Sequence, residues 1–348
     1  MSHLLKTPSA YEWVENAVLR YSNNTFGKVV PGVIWTDALD DKGNMLIPLE
    51  PRELVAEINC GPYILLNGHD PGKPIGQVIE GKLFVSQSGT KFVAAILGFY
   101  AGGDVLQFNK LGFNTKESVS SPKTLVELPN NARIQIGADP REIEPQWIDQ
   151  LTMNAEVQIE RLTLSHNEAN ATIELIKVGL PYLALVWNPF ITAIGSEAGK
   201  ATYAAIHSFC RRLIEALAER RNPILEIQGR QNGCTVSFLF RGKDVNKSFL
   251  AHDTLPNAAA SAAQLIEKLK ERNMPAQKII YEFNKEGAVW YPSHAILEDG
   301  RIITDSMRLI AYDRSSTELS LGTTISPLAE LINGRKNQKI DRDDFDDK

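Results

Sequence analysis

The sequence is poor in cysteine and carries no excess of basic residues, and these absences exclude several kinds of function. Its 348 residues include 3 cysteines, 37 lysines and arginines, and 42 aspartates and glutamates, for a formal net charge of −5. The three cysteines show no metal-type spacing, which predicts reduced thiols and no structural zinc site. Because basic clusters are missing, a broad nucleic-acid surface is excluded, and we expect no nucleic-acid partner.

Targeting and cofactor signals are absent as well. The first residues, MSHLLKTPSAYEW, lack the basic segment and apolar core of a secretion signal, so we expect a cytoplasmic protein. Gly195, Gly199 and Lys200 miss the spacing of a phosphate-binding loop, and Ala201 stands where such a loop needs Ser or Thr. We therefore expect neither a cofactor nor a bound metal.

Long hydrophobic runs are rare, and the exception lies between Val178 and Gly195. This stretch, VGLPYLALVWNPFITAIG, has no charged residue over 18 positions, which is the lower edge of a membrane-spanning length. Two prolines and Asn188 interrupt it, and prolines break helical hydrogen bonding. We favour a buried connector between domains, and insertion of residues 178–195 into a membrane is the alternative.

Hydrophobic periodicity predicts an α+β protein. In the N-terminal region, short apolar runs separated by Gly, Pro, Asn and Asp indicate antiparallel strands in a barrel-like domain. The run from Glu168 to Asn222 indicates helix, and KATYAAIHSFCRRLIEALAERRN within it carries an apolar stripe at helical spacing. Beyond it, the predicted strands ILEIQ, CTVSFLFR and KSFLAH accompany a helix with Pro256 in its first turn, which is typical of an α+β sandwich.

These patterns divide the chain into four parts. We expect a β-rich domain over residues 1–165, a helical connector over 166–222 and an α+β domain over 223–325. Residues 326–348 form a polar tail that ends in DRDDFDDK, which has too few apolar residues to pack.

The stretch LLNGHDPGKPIGQV, Leu65 to Val78, is the candidate for chemistry. Its Asn, Gly, Asp and Pro residues favour tight turns, which would hold His69 on a constrained loop. A catalytic histidine needs such a loop, a nucleophile and an orienting acceptor, and Asp70 could supply the acceptor. The alternative is that these residues only form turns and that His69 caps one of them.

The same stretch resembles the histidine segment of tailed-phage prohead serine proteases, in which an apolar strand leads into His-Asp-Pro, two variable residues and Pro-Ile-Gly. The resemblance covers roughly residues 29–165, and it implies a β-barrel related to the herpesvirus maturation proteases, with His69 as general base. The nucleophilic serine of that family usually precedes Ile-Gly-Phe or Ile-Gly-Tyr on a later strand. Here FNKLGF places Lys110 at the serine position, and a lysine cannot replace a serine hydroxyl.

Other serines lie in polar turns, and Ser88 in the predicted hairpin SQSGT completes a candidate catalytic group with His69 and Asp70. Because the family nucleophile is missing, we expect a non-catalytic, protease-like interaction protein. Its former substrate groove would bind a peptide or protein by strand addition, and the C-terminal domain would add a second binding or oligomerisation surface. The alternatives are an active serine peptidase and a membrane-inserting effector.

Overall fold

The computed structural model describes residues 3–39, 45, 50–113, 133–164, 173–180 and 197–306. Helices and strands are both abundant in these residues, and the predicted α+β class is confirmed. The strands form two sheets, one of four strands and one of nine.

The four-stranded sheet lies near the N-terminus and is antiparallel throughout. It contains β1 (Lys28–Thr36), β2 (Tyr63–Leu66), β3 (Pro74–Val85) and β4 (Lys91–Phe99), in the order β1-β4-β3-β2. In the described residues β1 and β2 are the edges and do not pair with each other, so these four strands form an open sheet.

Strand β4 is buried on both faces, which explains its continuous apolar sequence, KFVAAILGF. Phe92 and Ala94 pack with α1 (Pro8–Tyr21), whereas Val93 and Ala95 pack with α2 (Pro51–Cys60). Since successive side chains of a strand point to opposite faces, the two helices lie on opposite sides of this sheet.

The nine-stranded sheet is mixed and has the order β5-β13-β12-β11-β10-β9-β8-β6-β7. Its strands are β5 (Val105–Leu106), β6 (Arg133–Ala138), β7 (Gln158–Thr163), β8 (Glu174–Gly179), β9 (Pro223–Gln231), β10 (Cys234–Arg241), β11 (Ala276–Asn284), β12 (Val289–Leu297) and β13 (Ile302–Ile303).

Helices cover one face of this sheet. They are α3 (Pro145–Thr152), α4 (Glu197–Ala216) and α5 (Val245–Glu271). In β10, Val236, Phe238 and Phe240 point to this face and belong to the largest apolar core, together with residues of α4 and α5. The alternate residues Ser237 and Arg241 therefore point to the opposite face.

The predicted domain boundaries do not coincide with the boundaries between sheets. The nine-stranded sheet contains β5, β6 and β7, which lie in the predicted N-terminal domain, and β8, which lies in the predicted connector. The expectation of helix throughout Glu168–Asn222 is wrong at Glu174–Gly179, which is β8, and is confirmed over Glu197–Ala216, which is α4. Residues 181–196, most of the apolar stretch, lie outside the described residues.

The predicted strand KSFLAH is wrong, because its residues belong to α5. Helix α5 starts at Val245, after the N-cap Asp244, whose carboxylate accepts a hydrogen bond from the Lys247 backbone N–H at 2.9 Å. Pro256 consequently lies inside the helix and not in its first turn. None of the described helices is both long enough and apolar enough to cross a bilayer.

Candidate functional site

The loop Asn67–Lys73 joins β2 to β3 as a tight turn. Its backbone closes through hydrogen bonds from Asn67 N–H to the Lys73 carbonyl at 2.9 Å and from Lys73 N–H to the Asp70 carbonyl at 2.9 Å. Gly68 and His69 both adopt left-handed conformations, with φ of 57° and 56°. Side chains of His69 and Asp70 point into the protein, and each residue is 1% exposed. The predicted constrained loop is therefore present, and its central residues 69–72 are buried.

Asp70 connects this loop to the nine-stranded sheet. Both of its carboxylate oxygens accept hydrogen bonds from the guanidinium of Arg241 in β10, at 2.8 and 2.7 Å. The Gly72 backbone N–H donates to the same carboxylate at 2.9 Å, and the Lys73 ammonium lies 3.1 Å away. Arg241 also donates to Glu282 of β11 at 2.8 Å. We call Asp70, Arg241 and Glu282 the inter-sheet clamp.

The electrostatics of the clamp favour its charged form. Burial alone would raise the pKa of Asp70, but the hydrogen bonds and charge of Arg241 outweigh it and hold that pKa below its ordinary value. Burial alone would lower the pKa of Arg241, and the contacts with Asp70 and Glu282 raise it instead. A bidentate pair of this kind fixes both distance and orientation. Asp70 therefore fastens the loop to the second sheet.

Close packing at Gly72 supports this role. A Cβ atom at that position would collide with the Arg241 guanidinium and with the Glu282 carboxylate. A side chain at this position would force the Arg241 guanidinium and the Glu282 carboxylate to move, so glycine is the residue that leaves the clamp undisturbed.

Ser88 lies at the other end of β3. It is in the exposed hairpin turn between β3 and β4, where its hydroxyl is 2.8 Å from that of Ser86 and 3.2 Å from that of Thr90. Strand β3 has 12 residues. At about 3.3 Å per residue its ends are on the order of 35 Å apart. The structure brings His69 and Asp70 together in one loop but does not bring Ser88 to them.

The segment with Lys110 also differs from the family pattern. Instead of a strand of the N-terminal sheet, residues 107–113 form turns, with hydrogen bonds from Leu111 N–H to the Gln107 carbonyl and from Phe113 N–H to the Phe108 carbonyl. Lys110 is exposed there. The preceding strand, β5, pairs with β13 of the nine-stranded sheet. The segment ESVSSPK contains three further serines that could serve as a nucleophile, Ser118, Ser120 and Ser121, and they lie outside the described residues.

A buried polar cluster lies on the face of the nine-stranded sheet that carries Arg241. Glu226 of β9 is 0% exposed and accepts a hydrogen bond from the Ser237 hydroxyl at 2.7 Å. Its carboxylate lies 3.5 Å from the Lys278 ammonium and 3.9 Å from that of Lys177. His294 of β12 is 1% exposed. We call these five residues the polar layer.

Burial and the neighbouring charges together shift the pKa values in the polar layer. It lowers the pKa of His294 to about 3 and also lowers the pKa of Lys177. Burial would raise the pKa of Glu226, but the charges of Lys278 and Lys177 reverse this and lower it. The layer thus holds a charged carboxylate beside two ammonium groups, and it also contains a neutral imidazole. Because the carboxylate and the imidazole are shielded from solvent, they have no open path to a substrate in this structure.

Metal binding has no support in the described part of the chain. No group of three or more His, Cys, Asp or Glu side chains there is arranged to hold a metal ion. Comparisons with protein-family models, with curated proteins and with solved structures found no match to this chain.

Proposed function

We propose that this chain is a non-catalytic, protease-like interaction protein that binds an extended segment of a peptide or protein partner. The observation that carries the first half of this proposal is the use of Asp70. Both of its oxygens accept from Arg241, so the carboxylate that could orient an imidazole holds two sheets together. The His-Asp-Pro turn is then a structural link.

Burial supports the same conclusion. A general base must come within hydrogen-bond reach of the group it deprotonates, in a pose that a substrate can occupy. His69 is 1% exposed, and the candidate nucleophile Ser88 lies at the opposite end of β3. The candidate group of His69, Asp70 and Ser88 is therefore not assembled for serine catalysis.

The second half of the proposal depends on which sheet edges could accept a strand. Edge β1 contains Pro31, which has no N–H to donate, and an irregular register between Val33 and Trp35. Edges β2 and β5 have 4 and 2 residues. Edge β7 has 6 residues, no proline and an uninterrupted register with β6. Among the edges in the described residues, β7 is therefore the best fitted to strand addition.

Labelling with a fluorophosphonate probe tests the non-catalytic half. We expect no label on the full chain and no difference in its His69→Ala variant, with an active serine hydrolase as positive control. Label that is present in the wild type and lost in the His69→Ala variant would show an active peptidase.

Amide hydrogen exchange tests the binding half. Short peptides that bind the full chain on an array are added in solution, and exchange is followed along the protein. We expect exchange to slow in Gln158–Thr163, because an added strand pairs with the backbone groups on the side of β7 that no described strand occupies. Binding that leaves exchange in this strand unchanged would refute strand addition at β7.

A further inference from the structure

We infer that the β7 edge selects an extended, antiparallel segment that reads apolar, acidic, basic, apolar from its N-terminus to its C-terminus. This inference rests on the proposed function and specifies its partner. The centre of β7 carries Glu160 and Arg161 in succession, and Ile159 and Leu162 flank them. Opposite charges placed directly across two strands stabilise their pairing, and like charges weaken it.

The two charged side chains are held on opposite faces of the sheet. On the face of the polar layer, Glu160 accepts a hydrogen bond from Gln135 of β6 at 3.1 Å. On the helix-covered face, Arg161 contacts Asp149 and donates to the Thr152 hydroxyl at 2.6 Å, and both of these residues are in α3. An incoming strand therefore meets the carboxylate of Glu160 on one face and, on the other, the guanidinium of Arg161, which α3 holds in place through an ion pair with Asp149.

Strand direction converts this arrangement into a sequence order. Antiparallel pairing is slightly more stable per residue than parallel pairing, so we take the added strand to be antiparallel. In an antiparallel pair, the residue opposite Arg161 precedes the residue opposite Glu160, so the complementary order is acidic and then basic. In the added strand, the residue before this acidic-basic pair lies opposite Leu162, and the residue after it lies opposite Ile159. Leu162 is buried and Ile159 is half-buried against the main apolar core, so apolar partners fit both positions.

A second copy of this chain does not offer complementary charges to the β7 edge. Two identical edges that pair antiparallel are related by a two-fold axis normal to the sheet, so residues directly opposite each other share a face. The two registers that pair most of β7 then place Glu160 opposite Glu160 of the second copy, or Arg161 opposite Arg161. Such like-charge pairs act against edge-to-edge association. The charges thus favour a different chain as the occupant.

Two fluorescein-labelled peptides of identical composition test the inference. Both have alternating Val and Thr residues around a central pair, which is Glu-Lys in one peptide and Lys-Glu in the other. Fluorescence anisotropy with the full chain should give about fivefold tighter binding for the Glu-Lys peptide, as expected for two cross-strand charge pairs. Tighter binding of the Lys-Glu peptide would overturn the inferred order.

Charge reversal in the protein provides the decisive comparison. In the double variant Glu160→Lys, Arg161→Glu the preference should invert, while melting temperature confirms that the variant folds. The matched control is Arg211→Asp with Asp253→Arg, which reverses an exposed ion pair between α4 and α5 and should leave the preference unchanged.

The outcomes separate the inference from the proposed function. Equal binding of both peptides, with slowed exchange in Gln158–Thr163, would refute the charge order and leave strand addition intact. No binding of either peptide and no slowed exchange would refute both.

Discussion

The two turns at the ends of β3 are alike in sequence but differ in their surroundings. Both are rich in small polar residues, and each contains a glycine in the left-handed region, Gly68 with φ of 57° and Gly89 with φ of 87°. The loop Asn67–Lys73 is fastened to the nine-stranded sheet by the inter-sheet clamp, whereas the hairpin turn at Ser88 is exposed. The role of a polar turn is therefore set by what packs against it.

Breaking the inter-sheet clamp should give the largest difference in stability between variants at the two ends of β3. Arg241→Met keeps most of the apolar volume of the side chain but leaves the buried carboxylate of Asp70 without its bidentate partner. We expect a loss of about 3 kcal/mol in the free energy of unfolding, because a buried charge that loses its partner is strongly destabilising. Urea denaturation of the full chain measures this loss.

Ser88→Ala is the matched control at the exposed end. It should change the free energy of unfolding by less than about 0.5 kcal/mol, as is usual for surface substitutions. Similar losses in the two variants would contradict the view that only the loop Asn67–Lys73 is a structural link.

Local patterns predicted most of the elements. The continuous apolar run of β4 and the glycine turn before it were sufficient for the hairpin, because both signals are confined to neighbouring residues. The prediction failed at the segment KSFLAH, whose residues belong to α5. Asp244, directly before that helix, is its N-cap, and an aspartate in this position is a local signal for a helix start that the strand prediction missed.

The candidate site was predicted only in part, because some of its residues are far apart in the sequence. The loop around His69 was recognisable from its own residues, but Arg241 is 171 residues from Asp70 in sequence, and no local signal joins them. Glu226, Lys278 and His294 belong to three different strands, β9, β11 and β12, and no local pattern brings them together in one buried cluster.

Lowering the pH should reduce the free energy of unfolding through the titration of the polar layer. Burial lowers the pKa of His294 to about 3, whereas an unfolded histidine titrates near 6.5. As the pH falls below about 6.5, the unfolded state therefore binds more protons than the folded state, and stability falls until the pH reaches about 3. At pH 5 this residue alone should cost about 2 kcal/mol relative to pH 7.

His294→Leu isolates this effect. Between pH 6 and pH 5, the free energy of unfolding of the variant should fall less steeply than that of the wild type, by about 1 kcal/mol. His207 and His252 also have pKa values lowered by burial, so some pH dependence of the same sign should persist. His3→Leu, at an exposed position, is the matched control. Equal slopes in the wild type and the His294→Leu variant would contradict a buried, neutral imidazole.

Replacing the left-handed glycines should produce the smallest difference in stability between variants at the two ends of β3. No atom lies within 4 Å of the Cβ position at either Gly68 or Gly89, so an added methyl group meets no steric barrier in the buried loop or in the exposed turn. The cost of alanine at each position is then the cost of the left-handed conformation, about 1 kcal/mol. Asparagine tolerates that conformation better and should cost less at both positions.

Urea denaturation of the four variants, Gly68→Ala, Gly68→Asn, Gly89→Ala and Gly89→Asn, measures these costs. Alanine losses that agree within about 0.5 kcal/mol would show that the two turns carry the same backbone cost and differ only in their contacts. A much larger loss at Gly68 would mean instead that the loop Asn67–Lys73 cannot accommodate even a methyl group, and that its fit against the nine-stranded sheet is part of the link.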